Sequence, residues 1–188
     1  FNDPSKELNL IGVGGTKGKS TTAYYVKAIV DDYLASIGKK ESAVISSIDV
    51  YDGVTKVESH ITTPENIELL QHFRNAVDSD IDFLEMEVSS QALKYNRVDQ
   101  ITFDAAIFLN ISEDHISPIE HPDFEDYFSS KLKMFAQTKH ALINTNSDYF
   151  ERVVESAKDA ENVITFGTKP GSDILGYDIK KIDHEIHF

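Results

Sequence analysis

Apolar and polar positions along this chain switch between two periods. Residues 8–13 form a short apolar run broken by Asn9, and it ends in a glycine-rich turn, the mark of a buried strand. From Lys19 the period lengthens. Val26, Ile29, Val30, Tyr33 and Ile37 fall at helical spacing, and Gly38 supplies a stop. Residues 42–47 predict a second strand. Pro64 stands where a helix can begin, with Ile67, Leu70 and Phe73 expected along its buried face. Residues 81–87 and 103–109 predict strands, 124–135 a helix, 140–144 a strand, 149–157 a helix and 163–166 a strand.

This alternation predicts an α/β fold, a mostly parallel sheet with helices on both faces. Residues 173–188 alternate weakly and are expected to begin a small β-rich element. Internal repeats and low-complexity segments are absent. The length of 188 residues suits one domain, with 40% hydrophobic and 27% charged residues, an ordinary globular balance. The chain opens on Phe1, which suggests a piece of a longer protein.

Charge and cysteine content narrow the function. A net charge of -14 repels phosphate backbones, which argues against general binding to nucleic acid or to anionic membranes. No apolar run approaches the ~20 residues of a membrane span. With no cysteines, disulfides and thiolate metal sites are excluded, and the composition fits a reducing, cytoplasmic setting. An anionic nucleotide would need local amides, lysines and a metal to overcome the acidic background.

The segment Gly12-Val13-Gly14-Gly15-Thr16-Lys17-Gly18-Lys19-Ser20-Thr21 offers such a place. It follows an expected strand and opens an expected helix. Glycines let amides approach phosphate oxygens closely, and the helix start adds partial positive charge. Lys19 can reach the β- and γ-phosphates, and the Ser20 hydroxyl can ligate Mg²⁺. Position 13 is Val, so the strict spacing of Gly, four residues and Gly-Lys-Ser is not met.

A phosphate loop of this kind needs a carboxylate from a neighbouring strand to hold the metal. Glu85 and Glu87 are candidates, and Glu87 is favoured because it stands at the strand's carboxyl end, where parallel sheets bind ligands. Asn110-Ile111-Ser112-Glu113-Asp114-His115 follows the next strand and brings an imidazole and oxygen ligands to the same rim.

Together these segments resemble the Mur ligases, and among them the MurE-type UDP-N-acetylmuramoyl-tripeptide synthetases. The resemblance runs from Phe1-Asn2-Asp3-Pro4-Ser5 through the glycine loop, Thr62-Thr63-Pro64-Glu65, Glu87-Val88-Ser89-Ser90-Gln91-Ala92-Leu93 with Arg97, the segment ending at His115, and Tyr127-Phe128-Ser129-Ser130-Lys131. The order and spacing of the segments are more specific than any one of them.

The resemblance implies that ATP is held by Gly15, Thr16, Lys17, Gly18, Lys19, Ser20 and Thr21, with Asn110. It implies Mg²⁺ held by Ser20, Glu87 and His115, and a second Mg²⁺ held by a carbamylated Lys131. Lys19, Lys131 and His115 are the implied catalytic residues. Thr62, Thr63, Ser89 and Arg97 match positions that grip a UDP-MurNAc-peptide, to which an amino acid is joined through an acyl phosphate. It also implies an N-terminal UDP-binding domain and a C-terminal amino-acid-binding domain outside this chain. Without the resemblance, Lys131 and Arg97 read as surface charges and Thr-Thr-Pro as a plain helix start. Lys17 and Ser20 replace the family's usual Asn and Thr. Gln91 stands where His is frequent, Ser117 replaces an Asp, and Asn146-Ser147 replaces a common Asp-Asp pair. These departures bear on the exact substrate more than on ATP chemistry. Folylpolyglutamate, cyanophycin or poly-γ-glutamate synthetases and a non-catalytic nucleotide-binding module are the competing readings. A GTPase lacks support, because no Asn-Lys-x-Asp is present.

Overall fold

A computed structural model describes residues 2–114, 116–183 and 185–187. In chain order the strands and α-helices are β1 (Asn9–Gly14), α1 (Lys19–Ser36), β2 (Ala43–Ile45), β3 (Asp49–Tyr51), β4 (Lys56–Glu58), α2 (Asn66–Asp78), β5 (Phe83–Glu87), α3 (Ser90–Lys94), β6 (Phe103–Phe108), α4 (Phe124–Leu132), β7 (Thr138–Asn144), α5 (Phe150–Ser156), β8 (Asn162–Gly167), β9 (Ile174–Leu175), β10 (Lys180–Ile182) and β11 (Glu185–His187). One sheet runs β4-β3-β2-β5-β1-β6-β7-β8-β9, and β10 pairs with β11 apart from it. From β2 to β9 every pairing is parallel, while β3 and β4 form an antiparallel ribbon on one edge. The tail therefore divides. Ile174 and Leu175 extend the main sheet, and only the last hairpin stands apart.

Strand alternation distributes the core between two faces. Leu10, Leu84, Met86, Phe103 and Phe108 share the larger cluster with Leu69 and Phe73 of α2 and Tyr127 and Phe128 of α4. Val13, Ile107 and Leu109 point the other way, against Ala23 and Val26 of α1. Completely burying a side chain such as Phe73 contributes about 1.5–3 kcal/mol. On β5 the same alternation sends Glu85 and Glu87 to the α1 face.

One expectation about a helix face is corrected. Ile67 is 74% exposed rather than buried. Leu69, His72, Phe73 and Ala76 cover the sheet instead, and Ile67 sits about 160° round the helix from Leu69. On α1, Ile29 and Tyr33 also point outward, while Lys27 and Asp31 turn toward the sheet. Lys27 Nζ donates to Asp31 and to the Ser42 carbonyl, 2.7 Å away. The Ser42 hydroxyl lies 2.7 Å from Glu85 Oε2. A polar seam therefore runs under this helix. The ribbon of β3 and β4 and the short α3 were not anticipated, because three to five residues give too little periodicity to signal an element. The helix expected over 124–135 ends at Leu132 and continues as a 3-10 turn over Lys133–Gln137.

Candidate active site

The chain enters β1, crosses to the β2–β5 side and returns past β1 to β6, so the sheet order reverses around β1. Ligands of open α/β sheets bind at that reversal, outside the carboxyl ends of the strands. The glycine loop occupies this place. Gly15 has φ +144° and Gly18 has φ +85°, conformations that disfavour any side chain. Gly18 caps α1, and the first amides of the helix have no acceptor within it.

Asn110, just beyond β6, shapes the loop. Its Oδ1 accepts from the amides of Thr16 at 3.1 Å and Lys17 at 2.9 Å, and its Nδ2 donates to the Lys17 carbonyl at 3.0 Å. The Lys17 side chain is exposed on the loop. Thr16 is buried, and its hydroxyl receives hydrogen bonds from the Ser112 amide and the Tyr127 hydroxyl, each at 3.1 Å. Burial pushes the Tyr127 phenol up to about 12, which keeps it a donor.

Two lysines converge on the loop. Lys19 Nζ donates to the carbonyls of Gly15 at 3.2 Å and Thr16 at 3.1 Å, and burial lowers its pKa against the opposing pull of Glu87. Lys131, in the last turn of α4, is 3% exposed, so its reading as a surface lysine is overturned. Its Nζ donates to the Gly15 carbonyl at 2.7 Å and lies 4.8 Å from the centre of the Tyr127 ring. Burial, with the neighbouring Lys19 charge, brings its pKa down to about 7.

Glu87 is 1% exposed on a central strand, which excludes a solvated edge-strand role. Its Oε1 accepts from the Ser47 amide at 2.8 Å and the Ser47 hydroxyl at 3.1 Å, and Ser47 Oγ lies 3.0 Å from Ser20 Oγ. Ser47 thus links the two expected metal ligands. Its sequence marks it only as the end of a strand, and nothing in its local pattern points to this link. Glu85 is sealed under α1, and burial raises its pKa to about 7. His115 lies outside the described residues.

Beside the lysines is a pocket of about 200 Å³, lined by Lys19, Lys131, Thr62, Ser89, Ser90, Gln91, Arg97, Glu120 and Ile61. Thr62, Ser89 and Arg97 meet there. Thr63 is fully buried behind them, and its hydroxyl donates to the Glu87 carbonyl at 2.9 Å, so it fastens the Thr-Thr-Pro turn to the end of β5. Arg97 donates to the Thr63 carbonyl at 3.3 Å, and its Nε lies 2.8 Å from Glu65 as an ion pair whose angle falls short of a hydrogen bond. Larger clefts lie elsewhere, the first two of about 530 and 400 Å³. The second borders Asn9, Thr102 and Lys139 at the amino ends of β1, β6 and β7, away from the phosphate loop.

The Mur ligase middle domain model matches residues 13–188. The chain belongs to the Mur ligase middle-domain family. Over 158 residues it is 45% identical to a UDP-N-acetylmuramyl-tripeptide synthetase of Bifidobacterium longum, covering 84% of this chain and 30% of that protein. It is 41% identical to an L-lysine-adding UDP-N-acetylmuramoyl-L-alanyl-D-glutamate ligase of Enterococcus faecalis, over 93% of this chain and 34% of the relative. A 2,6-diaminopimelate-adding ligase of Clostridium botulinum is 36% identical over all of this chain and 37% of its own length. This Mur ligase middle domain therefore spans about a third of the length of these curated relatives. A solved diaminopimelate ligase shares the fold with a TM-score of 0.78 at 22% identity, over 95% of this chain and 36% of its own. A Mycobacterium tuberculosis folylpolyglutamate synthase complexed with ADP shares it at 0.62 and 16%, over 88% and 44%.

Proposed function

We propose that this middle domain carries the ATP chemistry of a ligase that joins an amino acid to a UDP-MurNAc-peptide in peptidoglycan synthesis. The observation that carries the reading is the convergence of Lys19 and Lys131 on the carbonyl of Gly15, beside the first amides of α1 and above Glu87. Relatives at 36–45% identity bear UDP-N-acetylmuramyl ligase names, which favours this substrate over a folate.

Gly15, Thr16, Lys17, Gly18, Lys19, Ser20 and Thr21 would bind the triphosphate, with Asn110 holding the loop open to it. Lys19 would exchange its two carbonyl partners for phosphate oxygens, and in a water-poor site its charge stabilises the transferring phosphoryl group. The carboxylate of the acyl substrate attacks the γ-phosphorus, giving an acyl phosphate and ADP. An amine then attacks the acyl carbon, phosphate leaves, and an amide forms. Thr62, Ser89 and Arg97 would orient the UDP-linked peptide, with Thr63 behind them.

The donor set fits Mg²⁺. Ser20 Oγ and the Glu87 carboxylate are joined through Ser47, and among the described residues no three carboxylates or imidazoles form a closed cage. A hard cation shared with phosphate oxygens suits so few protein ligands. Mg²⁺ held by Ser20, Glu87 and His115 would neutralise charge on the phosphates. An ammonium cannot ligate a cation, so Lys131 fits only as a carbamate. Its lowered pKa supplies the neutral amine that adds to CO₂.

The test is amide formation by the full-length protein with ATP, UDP-MurNAc-peptides and a panel of amino acids. ADP release that depends on both the peptide and an amino acid supports the reading, and a preference for GTP or for folate overturns it. For Lys131, intact mass in bicarbonate is expected to rise by one CO₂, and an unmodified amine under those conditions removes it from the metal set.

A further inference from the structure

Behind the pocket wall is a chain of three polar side chains that the reaction just described does not use. His121 is fully buried. Its Nδ1 lies 2.6 Å from Asp126 Oδ2, and its Nε2 lies 3.0 Å from the hydroxyl of Ser90. Ser90 is 5% exposed and borders the pocket with Lys19 and Lys131. The ring is packed edge-on against Tyr127, with centroids 5.1 Å apart. The backbone carbonyl of His121 accepts from the Ser117 amide at 2.9 Å, which closes the loop before α4.

The direction of this chain follows from its far end. Lys94 Nζ donates to Asp126 Oδ2 at 2.6 Å and holds the carboxyl below its ordinary range, so Asp126 is a carboxylate and accepts only. Nδ1 of His121 must then carry a hydrogen. In the neutral ring Nε2 is bare, so Ser90 donates its hydroxyl hydrogen to it. What Ser90 turns toward the pocket is lone pairs alone. Lys19 and Arg97 of the remaining wall donate, and the Glu120 carboxylate is met by Gln91 at 3.2 Å. An oxygen of fixed acceptor character among cations is poorly suited to a phosphate or carboxylate and well suited to an N–H.

We propose that Ser90 binds an N–H group of a substrate in this pocket, and that His121 and Asp126 are positioning residues that hold its oxygen in the accepting sense. The inference rests on reading the pocket as the ligase site. Two groups in that reaction carry the required chemistry, an amide N–H of the peptide on the acyl substrate and the amine of the incoming amino acid.

Steady-state kinetics of the full-length protein separate them. Ser90→Ala removes the acceptor, and it is expected to raise the KM of one of the two substrates about tenfold while leaving the KM for ATP unchanged. The KM that rises identifies the source. Ser90→Thr keeps the hydroxyl and restores the wild-type value. Asp126→Ala removes the acceptor that holds the hydrogen on Nδ1, which lets the hydrogen pass to Nε2 and turns the Ser90 hydroxyl toward the pocket. It is expected to raise the same KM with Ser90 intact, an effect that simple loss of packing would not confine to one substrate. Nitrogen-15 spectra of histidine-labelled full-length protein supply a readout free of substitution, with the Nδ1–H form expected for His121. A ring that carries hydrogen on Nε2 overturns the proposal. So does a Ser90→Ala protein that ligates with both KM values within twofold of wild type, and that result leaves the ligase reading standing. Absence of amide formation by the wild type overturns the ligase reading and this inference with it.

Discussion

Lys131 and Lys139 are eight positions apart and stand at opposite ends of the same sheet. Lys139, near the amino end of β7, is 46% exposed and pairs with Asp104 at 2.6 Å, which raises its pKa. Lys131, beside the carboxyl ends of β1 and β6, is buried against the Gly15 carbonyl, and its pKa falls to about 7. The cleft that borders Lys139 has about twice the volume of the pocket that borders Lys131, 400 against 200 Å³. Space alone therefore does not mark the chemistry here. An ammonium taken out of water is costly to maintain, and such groups cluster where a reaction uses them.

Four measurements break or sharpen this contrast. The largest effect is expected at the carboxyl end. Lys19→Ala should weaken MgATP binding about a hundredfold by calorimetry, as the loss of a charged hydrogen-bond donor to phosphate does. An unchanged affinity would place the nucleotide elsewhere.

Lys131 gives the next effect. Its folded pKa lies below the unfolded value, so between about pH 7 and the ordinary lysine range the unfolded chain binds more protons. Stability should rise with pH across that window, by about 1 kcal/mol per pH unit, in denaturant melts without bicarbonate or nucleotide. Lys131→Met should flatten the rise. A slope that survives the substitution would assign it to another group.

Glu85 carries the opposite sign. Burial raises its folded pKa to about 7, so between the ordinary glutamate range and pH 7 the folded chain holds the extra proton. Stability should fall as pH rises through that window, and Glu85→Gln should remove roughly 1–2 kcal/mol of the fall. An identical profile for the variant would show that Lys27 and Ser42 compensate fully for the burial.

The smallest effect is expected at the amino end. Lys139→Ala should leave the thermal midpoint and MgATP affinity unresolved from wild type, as exposed ion pairs contribute little. A tenfold loss of nucleotide affinity there would erase the contrast.

Much of this fold could be read from the residues. The run at 8–13 became β1 because a six-residue apolar strand between two parallel neighbours buries both faces. Gly15 and Gly18 took the conformations that the loop required. Ile67 was placed on the wrong face because Ile67, Leu70 and Phe73 share helical spacing with the true buried set, and only packing against the sheet selects between the two phases. Ser47, Tyr127 and His121 carried no local mark of their roles, since each acts through a partner at least 5 and as many as 111 positions away.

Local order along the chain determined which chemistry was on offer: a glycine loop opening a helix, an acid closing a strand, and lysines in helical register. Those features follow from backbone freedom and periodicity, which act over a few residues. Tertiary structure alone decided that Lys131 is buried on Gly15 rather than solvated, that Ser47 joins Glu87 to Ser20, and that Ser90, His121 and Asp126 touch. Desolvation and hydrogen-bond direction depend on what surrounds a group in space, and the sheet assembles those surroundings from segments distant in the chain.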